Sequence, residues 1–141
     1  MSKKKKTCPV CFKKTAWKEI SGKENIEVRG ERFEVKVRYY KCPACGEEFE
    51  RLTDPIDPLD QAYRLYRKKH NMMQPGEIRA LRKKYNLTQK ELARILGWGD
   101  VTLSRYENGA LQDESHDNLL HLCKNPDNLF ILIQKNAGIT G

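Results

Sequence analysis

The chain has 141 residues, which is enough for one medium domain or two small ones. With 38% hydrophobic and 33% charged residues it has little apolar material for a large core, and small cores usually need a metal ion or a partner subunit. The formal net charge of +8 predicts attraction to polyanions, without distinguishing DNA from RNA or an acidic surface. No apolar run approaches the roughly 20 residues of a membrane span, and the basic start over residues 1–6 lacks the apolar stretch of a signal peptide. We therefore expect a cytoplasmic protein with no membrane partner.

The first part of the chain, residues 1–52, is predicted to be a small β module. Apolar residues alternate with polar ones in two short runs, and this period of two marks half-buried strands. The alternating apolar residues are Ile26, Val28, Phe33, Val35, Val37 and Tyr39. Gly30 with Glu31 supplies a plausible tight turn between the runs, so that they would form a hairpin.

Two Cys-Pro-x-Cys segments flank this hairpin and are separated by thirty residues. In a reducing cytosol such pairs are metal ligands more often than disulfides. Four thiolates satisfy the tetrahedral preference of zinc, so Cys8, Cys11, Cys42 and Cys45 are predicted to bind one Zn²⁺ ion. A closed four-cysteine site has no open coordination position, which indicates a structural role. A thioredoxin-like redox pair would need a single Cys-x-x-Cys in a βαβ context, and neither condition is met.

The remaining cysteine and the histidines give no sign of catalysis. Cys123 stands among leucines in a helical stretch, where a free cysteine packs as a small apolar residue; the alternatives are a fifth ligand or a redox sensor. His70, His116 and His121 stand alone on helical segments and are expected at the surface. Since no convergent set of His, Ser or carboxylate residues is apparent, we expect a protein that is not an enzyme.

A connecting segment is predicted over residues 53–74. Two prolines within residues 53–58 make a stiff connector. Asp57 can cap a helix with Pro58 at its first position, and that helix would place Leu59, Ala62, Leu65 and Tyr66 on one face. The predicted helices are about 58–70, 75–85, 89–96, 100–107 and 115–135, the last one broken near Pro126.

The third part, residues 75–141, is predicted to be a helix-turn-helix domain. Thr88 and Glu91 have the spacing of a capping box, which starts the second helix of this domain. Gly97 ends that helix and Trp98-Gly99 makes the turn to the next one. Two helices joined by a short glycine-containing turn define the motif. The fold class expected for the whole chain is therefore α+β, a small zinc-bound β module followed by an all-α domain.

The strings LTQKELA at residues 87–93 and LSRYENG at residues 103–109 closely resemble the phage-repressor or XRE family, which has a lambda-repressor-like fold. The resemblance implies that Gln89 and Lys90 contact the DNA backbone and that base-reading positions fall at Asp100, Val101, Thr102 and Arg105. Arg105 can pair bidentately with guanine, and Thr102 can bond a base or place its methyl against thymine. Asp100 would accept from cytosine or favour the helix N-terminus, the second being preferred. The family pattern also pairs Arg82 with Glu107.

The charge distribution agrees with this interpretation. From Arg64 to Arg105 there are eleven Lys/Arg and three Asp/Glu, a net charge of +8. From Tyr106 to Gly141 there are two Lys/Arg and five Asp/Glu, a net charge of −3. Positive charge is thus concentrated on the helices that should face phosphate.

The whole arrangement resembles the MqsA-type antitoxins, which join a YgiT-type zinc finger to an XRE domain. The four paired cysteines fall at the ligand positions. Val101 departs from the family, whose members have a base-reading asparagine at this position. This difference bears on the operator sequence and not on the mode of binding. The resemblance implies an antitoxin that represses its own type II toxin–antitoxin operon, with the zinc module contacting the toxin and the helical domain dimerising on a palindrome of double-stranded DNA. The alternatives are a zinc-stabilised transcriptional regulator without a toxin partner, and a metal or redox sensor.

A homodimer is also expected from residues 129–133, five consecutive apolar residues that a domain this small can cover only in part. The alternative is that the helix at 58–70 folds back over them.

Overall fold

The computed structural model describes residues 5–50 and 57–137. By its internal contacts the chain divides into two compact units, Met1–Ala62 and Tyr63–Gly141. Of the proline connector predicted at residues 53–58, residues 53–56 lie outside the described residues. The three-part division at residues 52 and 74 remains a prediction. A β region followed by a helical region confirms the α+β class. Among the described residues, no helix is both long enough and apolar enough to cross a membrane.

The first unit contains two small antiparallel sheets. One pairs β1 with β2, and the other has the strand order β3-β4-β5. The strands are β1 Lys6–Thr7, β2 Lys14–Thr15, β3 Lys18–Val28, β4 Glu31–Lys41 and β5 Glu48–Phe49. The predicted hairpin is present, and each of its two long strands extends beyond the alternating run that identified it.

The turn of the hairpin lies one residue earlier than predicted. Val28 pairs with Glu31, so the two central residues are Arg29 and Gly30 and not Gly30 and Glu31. Their φ values are 49° and 83°. A two-residue turn with positive φ at both positions matches the right-handed twist of the flanking strands, which is why the register settles there.

The apolar face that the alternation in the sequence predicts is the buried face of the hairpin. Val28, Val35 and Val37 are buried, and Ile26 lies directly opposite Phe33 on the same face. At the end of the hairpin near β5, aromatic rings pack together, with Trp17 edge-on to Phe49 at 4.7 Å between ring centroids. The apolar core of this unit is therefore small.

Helix α1, Pro58–Lys69, starts as the sequence predicts. Oδ1 of Asp57 accepts hydrogen bonds from the backbone N–H groups of Leu59 and Asp60, at 3.0 and 3.2 Å. Within the first unit, the side-chain amide of Gln61 pairs with both backbone groups of Lys36, accepting from its N–H at 3.0 Å and donating to its carbonyl at 2.9 Å. Gln61 thus satisfies backbone groups on the edge of β4 at a position where none of the described strands pairs with that edge.

The expected apolar face of α1 is only partly correct. Ala62 and Tyr66 are buried, but Leu59 and Leu65 are 48% and 40% exposed. The buried stripe instead includes Arg67, which is fully buried. Leu59 lies in the first turn and Leu65 on the flank of that stripe, so neither leucine reaches the core.

The second unit continues from α1 through five further helices. They are α2 Pro75–Lys84, α3 Gln89–Leu96, α4 Thr102–Glu107, α5 Glu114–Leu122 and α6 Pro126–Leu132, followed by a π-helical segment Ile133–Ala137. The expected break near Pro126 is confirmed. Asn125 caps α6 by accepting from the N–H of Asp127 at 3.0 Å, and Pro126 occupies the first helical position.

These helices share one apolar core. Its buried members are Met73, Ile78, Leu81, Leu92, Ala93, Ile95, Leu96, Leu103, Tyr106, Leu120, Cys123 and Leu129. The prediction that Cys123 packs as a small apolar residue is confirmed. Burial raises the pKa of its thiol to about 11, which keeps it protonated and unreactive.

Candidate metal centre and nucleic-acid interface

The two Cys-Pro-x-Cys segments form turns with the same backbone hydrogen bonds. In each turn, the carbonyl of the first cysteine accepts a hydrogen bond from the N–H of the residue four positions later. The N–H of the same cysteine donates to the carbonyl of the residue five positions later. The bonds are Phe12 N–Cys8 O at 2.9 Å, Cys8 N–Lys13 O at 2.9 Å, Gly46 N–Cys42 O at 2.8 Å and Cys42 N–Glu47 O at 3.1 Å. Gly46 has the positive φ that such a turn requires, 74°. We call these turns the first and second knuckle.

The knuckles bring the four predicted ligands together. The sulfur atoms of Cys8, Cys11, Cys42 and Cys45 all lie within 4.8 Å of one another. Two of the Sγ–Sγ distances, Cys8–Cys45 and Cys11–Cys42, are 3.8 Å. Zn–S bonds of about 2.3 Å in a tetrahedron place the sulfurs about 3.8 Å apart. The spacing therefore fits a four-coordinate metal ion.

Hydrogen bonds stabilise part of this cluster as thiolates. The Thr15 hydroxyl, 3.3 Å from the sulfur of Cys42, lowers the pKa of that thiol to about 6 with help from the N–H groups of Cys45 and Ala44, although desolvation opposes the shift. Although the Glu47 N–H stabilises the thiolate of Cys45, desolvation and the neighbouring sulfurs raise the pKa of Cys45 to about 12. With the pKa of Cys45 raised, the four sulfurs do not all ionise on their own, and a divalent metal ion at the site would supply the positive charge that stabilises four thiolates.

Sequence reasoning did not identify Thr15 as part of the centre. It stands four residues after Cys11 on β2, which pairs with β1 just ahead of Cys8. A hydroxyl that supports a ligand has no fixed sequence spacing, so only the pairing of these strands reveals it.

The start of α3 is built as predicted. Thr88 Oγ1 accepts from the N–H of Glu91 at 3.1 Å, and Glu91 Oε1 accepts from the N–H of Thr88 at 3.0 Å. The hydrogen bond from the Thr88 N–H, followed by that from its hydroxyl, lowers the pKa of Glu91. Asn86 has a φ of 55°, which confirms it as the left-handed terminator of α2. Gln89 and Lys90 are then the first two residues of α3.

A basic cleft of about 630 Å³ lies at this helix start. It is lined by Arg82, Lys83, Asn86, Leu87, Thr88, Gln89 and Lys90. The structure thus places the two predicted backbone-contacting residues beside two cations of α2. Sequence reasoning had not assigned Lys83 to this surface, although its place at the end of α2, near the start of α3, was available as a signal.

The four predicted base-reading residues cluster at the start of α4. This helix begins at Thr102 and not near Asp100, because its first full-turn hydrogen bond runs from the N–H of Arg105 to the carbonyl of Val101, at 3.0 Å. Asp100 and Val101 therefore belong to the turn that leads into the helix. Asp100, Val101 and Arg105 are exposed and Thr102 is half-buried, so all four can be reached from outside.

The predicted ion pair between Arg82 and Glu107 is confirmed. The guanidinium donates to both carboxylate oxygens, from Nε at 3.1 Å and from Nη2 at 2.9 Å, and Glu107 is only 1% exposed. The hydrogen bond to Glu107 raises the pKa of Arg82. Arg79, one turn earlier on α2, adds a hydrogen bond from its guanidinium to the carbonyl of Glu107. Helix α2 therefore holds the end of α4 from two positions.

A third arginine reaches the same end of α4 from α1. Arg67 is fully buried, and its Nη2 donates to the carbonyls of Gly109 and Ala110, at 2.9 and 3.1 Å. Its Nε donates to Gln112, which in turn donates to the carbonyl of Met73 at 2.7 Å. No local signal indicates this role, because Arg67 stands in a Tyr-Arg-Lys-Lys run that is typical of a solvated face.

The histidines were wrongly expected to be isolated surface residues. His116 is half-buried, stacks on Trp98 at 4.4 Å between ring centroids, and bonds through Nδ1 to the hydroxyl of Tyr106 at 2.7 Å. The other two have neighbours as well: His70 packs on Tyr66, and His121 lies 3.1 Å from the carboxylate of Asp117. These partners come from packing within the helical unit, which one-dimensional spacing did not indicate.

Comparison with known families gives a decisive match. The profile of the family described as MqsA, the antitoxin component of a bacterial toxin–antitoxin system, matches residues 6–131. The chain belongs to this family. A search of individually curated proteins gives no match. Family membership assigns the chain an antitoxin role and implies a cognate toxin as its partner, and the four clustered cysteines can hold a metal ion.

Proposed function

We propose that this antitoxin is a sequence-specific DNA-binding protein that represses its own toxin–antitoxin operon. The observation that carries the proposal is the arrangement of α2, α3 and α4. A capped helix start, a basic cleft and the exposed start of a following helix stand together, with the end of that helix fixed by buried arginine contacts. This is the construction of a helix-turn-helix that enters the major groove.

The two groups of residues have different tasks in this proposal. Gln89 and Lys90, with the N-terminus of α3, bind phosphate oxygens and set the register of the protein on the duplex. Arg105 pairs with the major-groove edge of guanine, and Thr102 and Val101 contact a neighbouring base, including a thymine methyl. Asp100 favours the start of α4 through the helix dipole.

The metal in the proposal is a single structural zinc ion. Cys8, Cys11, Cys42 and Cys45 supply four sulfur ligands at tetrahedral spacing, which zinc prefers, and leave no position for water or substrate. When bound, such an ion contributes folding free energy to the small module that surrounds it.

The proposed assembly on DNA is a homodimer. Phe130 and Ile131 on α6 are 44% and 59% exposed, and Leu122 at the end of α5 is 55% exposed. Within the apolar run at residues 129–133, Leu129 is buried, whereas Phe130 and Ile131 are left uncovered. A second copy would bury this surface and would place two recognition helices about 34 Å apart, one turn of DNA. Sedimentation of the free protein and of its DNA complex at micromolar concentration measures the assembly, and a monomer in both would contradict it.

Two single substitutions test the DNA interface. Arg105→Ala should weaken binding by about 1–3 kcal/mol per half-site and relax the preference at one base position. Lys90→Ala should weaken binding to all sequences alike and reduce the salt slope by about one unit. Binding is measured by fluorescence anisotropy on the DNA upstream of the operon and on a scrambled duplex, at several salt concentrations. Zinc content should not change in either variant.

The opposite pattern would contradict the assignment. If Arg105→Ala weakened all duplexes equally and left sequence preference intact, α4 would contact only the backbone and another element would read the bases. If the wild-type protein did not distinguish the operon DNA from the scrambled duplex, sequence-specific repression itself would be wrong.

A further inference from the structure

The joint between α3 and α4 is a short turn that contains one large side chain, that of Trp98. Gly97 ends α3 in the left-handed conformation, with a φ of 76°. The N–H of Trp98 still bonds back to α3, donating to the carbonyl of Ala93 at 2.8 Å. The carbonyl of Gly99 already accepts from the N–H of Thr102, at the start of α4. Trp98 is therefore the last residue that α3 holds, and a contact that holds its ring also restricts the direction in which the chain leaves that helix.

Rings from this turn, from α4 and from α5 contact one another. His116, in the first turn of α5, stacks on Trp98 with 4.4 Å between ring centroids and 29° between ring planes. Tyr106 of α4 lies edge-on to Trp98 at 5.7 Å, and its ring is also 5.7 Å from that of His116. The hydroxyl of Tyr106 bonds to Nδ1 of His116 at 2.7 Å. We call Trp98, Tyr106 and His116 the ring cluster. Because each ring contacts the other two, the cluster ties the turn, α4 and α5 together.

A hydrogen bond distinguishes the ring cluster from ordinary apolar packing. An apolar ring at position 116 could stack on Trp98, but it would offer no nitrogen atom to the hydroxyl of Tyr106. Hydrogen bonds are directional, so this one restricts the rotation of α4 more closely than contact between apolar rings does. Tyr106 is only 8% exposed, so little water is available to replace the bond.

The ring cluster lies between the two groups of residues that have different tasks in the proposed DNA complex. Gln89 and Lys90 are at the opposite end of α3 from Trp98, and Arg105 directly precedes Tyr106 on α4. A small rotation of α4 would therefore move Arg105 relative to the phosphate contacts at the start of α3. A functional group has to be held within about 0.5 Å of its productive position, and neighbouring side chains that lock its support achieve this.

We propose that His116 is a positioning residue for the recognition of DNA sequence: its stack on Trp98 and its hydrogen bond with Tyr106 set the angle at which α4 presents Arg105 to the bases. This inference rests on the proposed DNA-binding function and goes beyond it, because it assigns part of the sequence preference to a residue that acts through two others. Loss of His116 should lower the preference for operon DNA. It should leave the phosphate contacts, and hence the salt slope, unchanged.

Three substitutions at position 116 separate the two contacts. His116→Ala removes both, His116→Phe keeps a ring that can stack on Trp98, and His116→Asn keeps a polar atom close to the place of Nδ1. The measured quantity is the affinity ratio, which is the affinity for operon DNA divided by that for the scrambled duplex. We expect His116→Ala to lower this ratio by about tenfold, as the loss of one good base contact does. His116→Phe and His116→Asn should each retain part of the preference.

A double-mutant cycle isolates the hydrogen bond. Tyr106→Phe removes the hydroxyl and keeps the ring. It should lower the affinity ratio in the wild type and have a much smaller effect in His116→Phe, where the bond is already absent. Equal losses in both backgrounds would show that the two side chains are not coupled and would overturn the proposal. Affinities are measured by fluorescence anisotropy on the full-length chain, at several salt concentrations and one pH.

Ile78→Val is the matched control for stability. It removes one methylene group from a fully buried side chain of α2 in the same core and leaves the three rings unchanged. It should therefore lower the free energy of unfolding, measured by urea titration, and keep the affinity ratio of the wild type. If Ile78→Val lowered this ratio as much as His116→Ala does, the loss would reflect stability alone and the proposal would be wrong.

The remaining outcomes are equally decisive. If His116→Ala weakened binding to both duplexes alike and left the affinity ratio unchanged, His116 would be a packing residue and not a positioning one. The milder His116→Phe and His116→Asn carry the same test if His116→Ala does not fold. A wild-type chain that does not distinguish the two duplexes would instead contradict the proposed function, on which this inference rests.

Discussion

The two units of this antitoxin are stabilised in different ways. Among the described residues of the first unit, those buried outside α1 are three valines of one hairpin face and two of the four clustered cysteines. The second unit buries twelve apolar or cysteine residues in one cluster, together with the polar residues Arg67, Glu107, Gln112 and Asp117. A module with so few buried side chains would depend on a metal ion held by its four cysteines, whereas the helical unit has a core of its own.

Loss of the metal should have the largest effect, and it should unfold the first unit while leaving the helical unit intact. Cys42→Ser removes a buried ligand, and structural zinc contributes about 10–16 kcal/mol in small modules, more than such a module has in reserve. We expect residues 8–50 to lose protection from hydrogen exchange while α2 to α6 keep theirs. Hydrogen exchange followed by mass spectrometry resolves the two regions.

A chelator added to the wild type should reproduce that pattern, and zinc added back should reverse it. The dependence on metal would be wrong if purified protein without zinc, by elemental analysis, still protected the hairpin.

Arg67→Met should have the next largest effect, confined to the helical unit. The substitution leaves the carbonyls of Gly109 and Ala110 and the amide of Gln112 without a buried donor, and each unsatisfied group costs about 1–3 kcal/mol. We expect a loss of roughly 3 kcal/mol or more in the free energy of unfolding. Urea titration followed by helical circular dichroism measures it.

The neighbouring Lys68 is exposed, so Lys68→Met is the matched control and should stay within about 0.5 kcal/mol of the wild type. An unchanged stability of Arg67→Met would show that Arg67 does not tie α1 to the end of α4. With the expected loss, α1 would count as part of the DNA-binding unit, and we propose that this unit begins within α1 and not at residue 75.

The parts of the fold that were predictable are those that neighbouring residues determine. The capping box of Thr88 and Glu91, the proline after Asn125 and the spacing of the cysteine pairs act over a few residues, and each is found as expected. Arg82 with Glu107 was predictable because a family pattern records that long-range pair. Arg67 contacts residues more than forty positions away, and nothing local distinguishes it from a solvated arginine.

The hairpin turn shows a similar limit. Gly30 was correctly identified as a turn residue, yet the register was wrong by one. A glycine can occupy either the first or the second positive-φ position of a two-residue turn, so it does not by itself determine the register. Val28 pairs with Glu31, so Arg29 and Gly30 are the two turn residues. This pairing depends on all the cross-strand contacts of the hairpin. Strand register thus follows from the whole sheet, whereas helix starts follow from three or four residues.

The smallest expected effect is that of removing a local signal, the capping box at the start of α3. Thr88→Ala removes the oxygen that accepts from the N–H of Glu91 and should cost about 1 kcal/mol at neutral pH, whereas Thr88→Ser keeps the oxygen and should restore most of it. The pKa of Glu91 is lowered in the folded protein, so its contribution is present above the unfolded-state pKa and is lost as the pH falls through the folded-state pKa. Because the Thr88 hydroxyl supplies part of that shift, the difference between wild type and Thr88→Ala should shrink in acid. Urea titrations at neutral and acidic pH measure this difference, and one that grew as the pH fell would contradict the capping box as the source of stability at the start of α3.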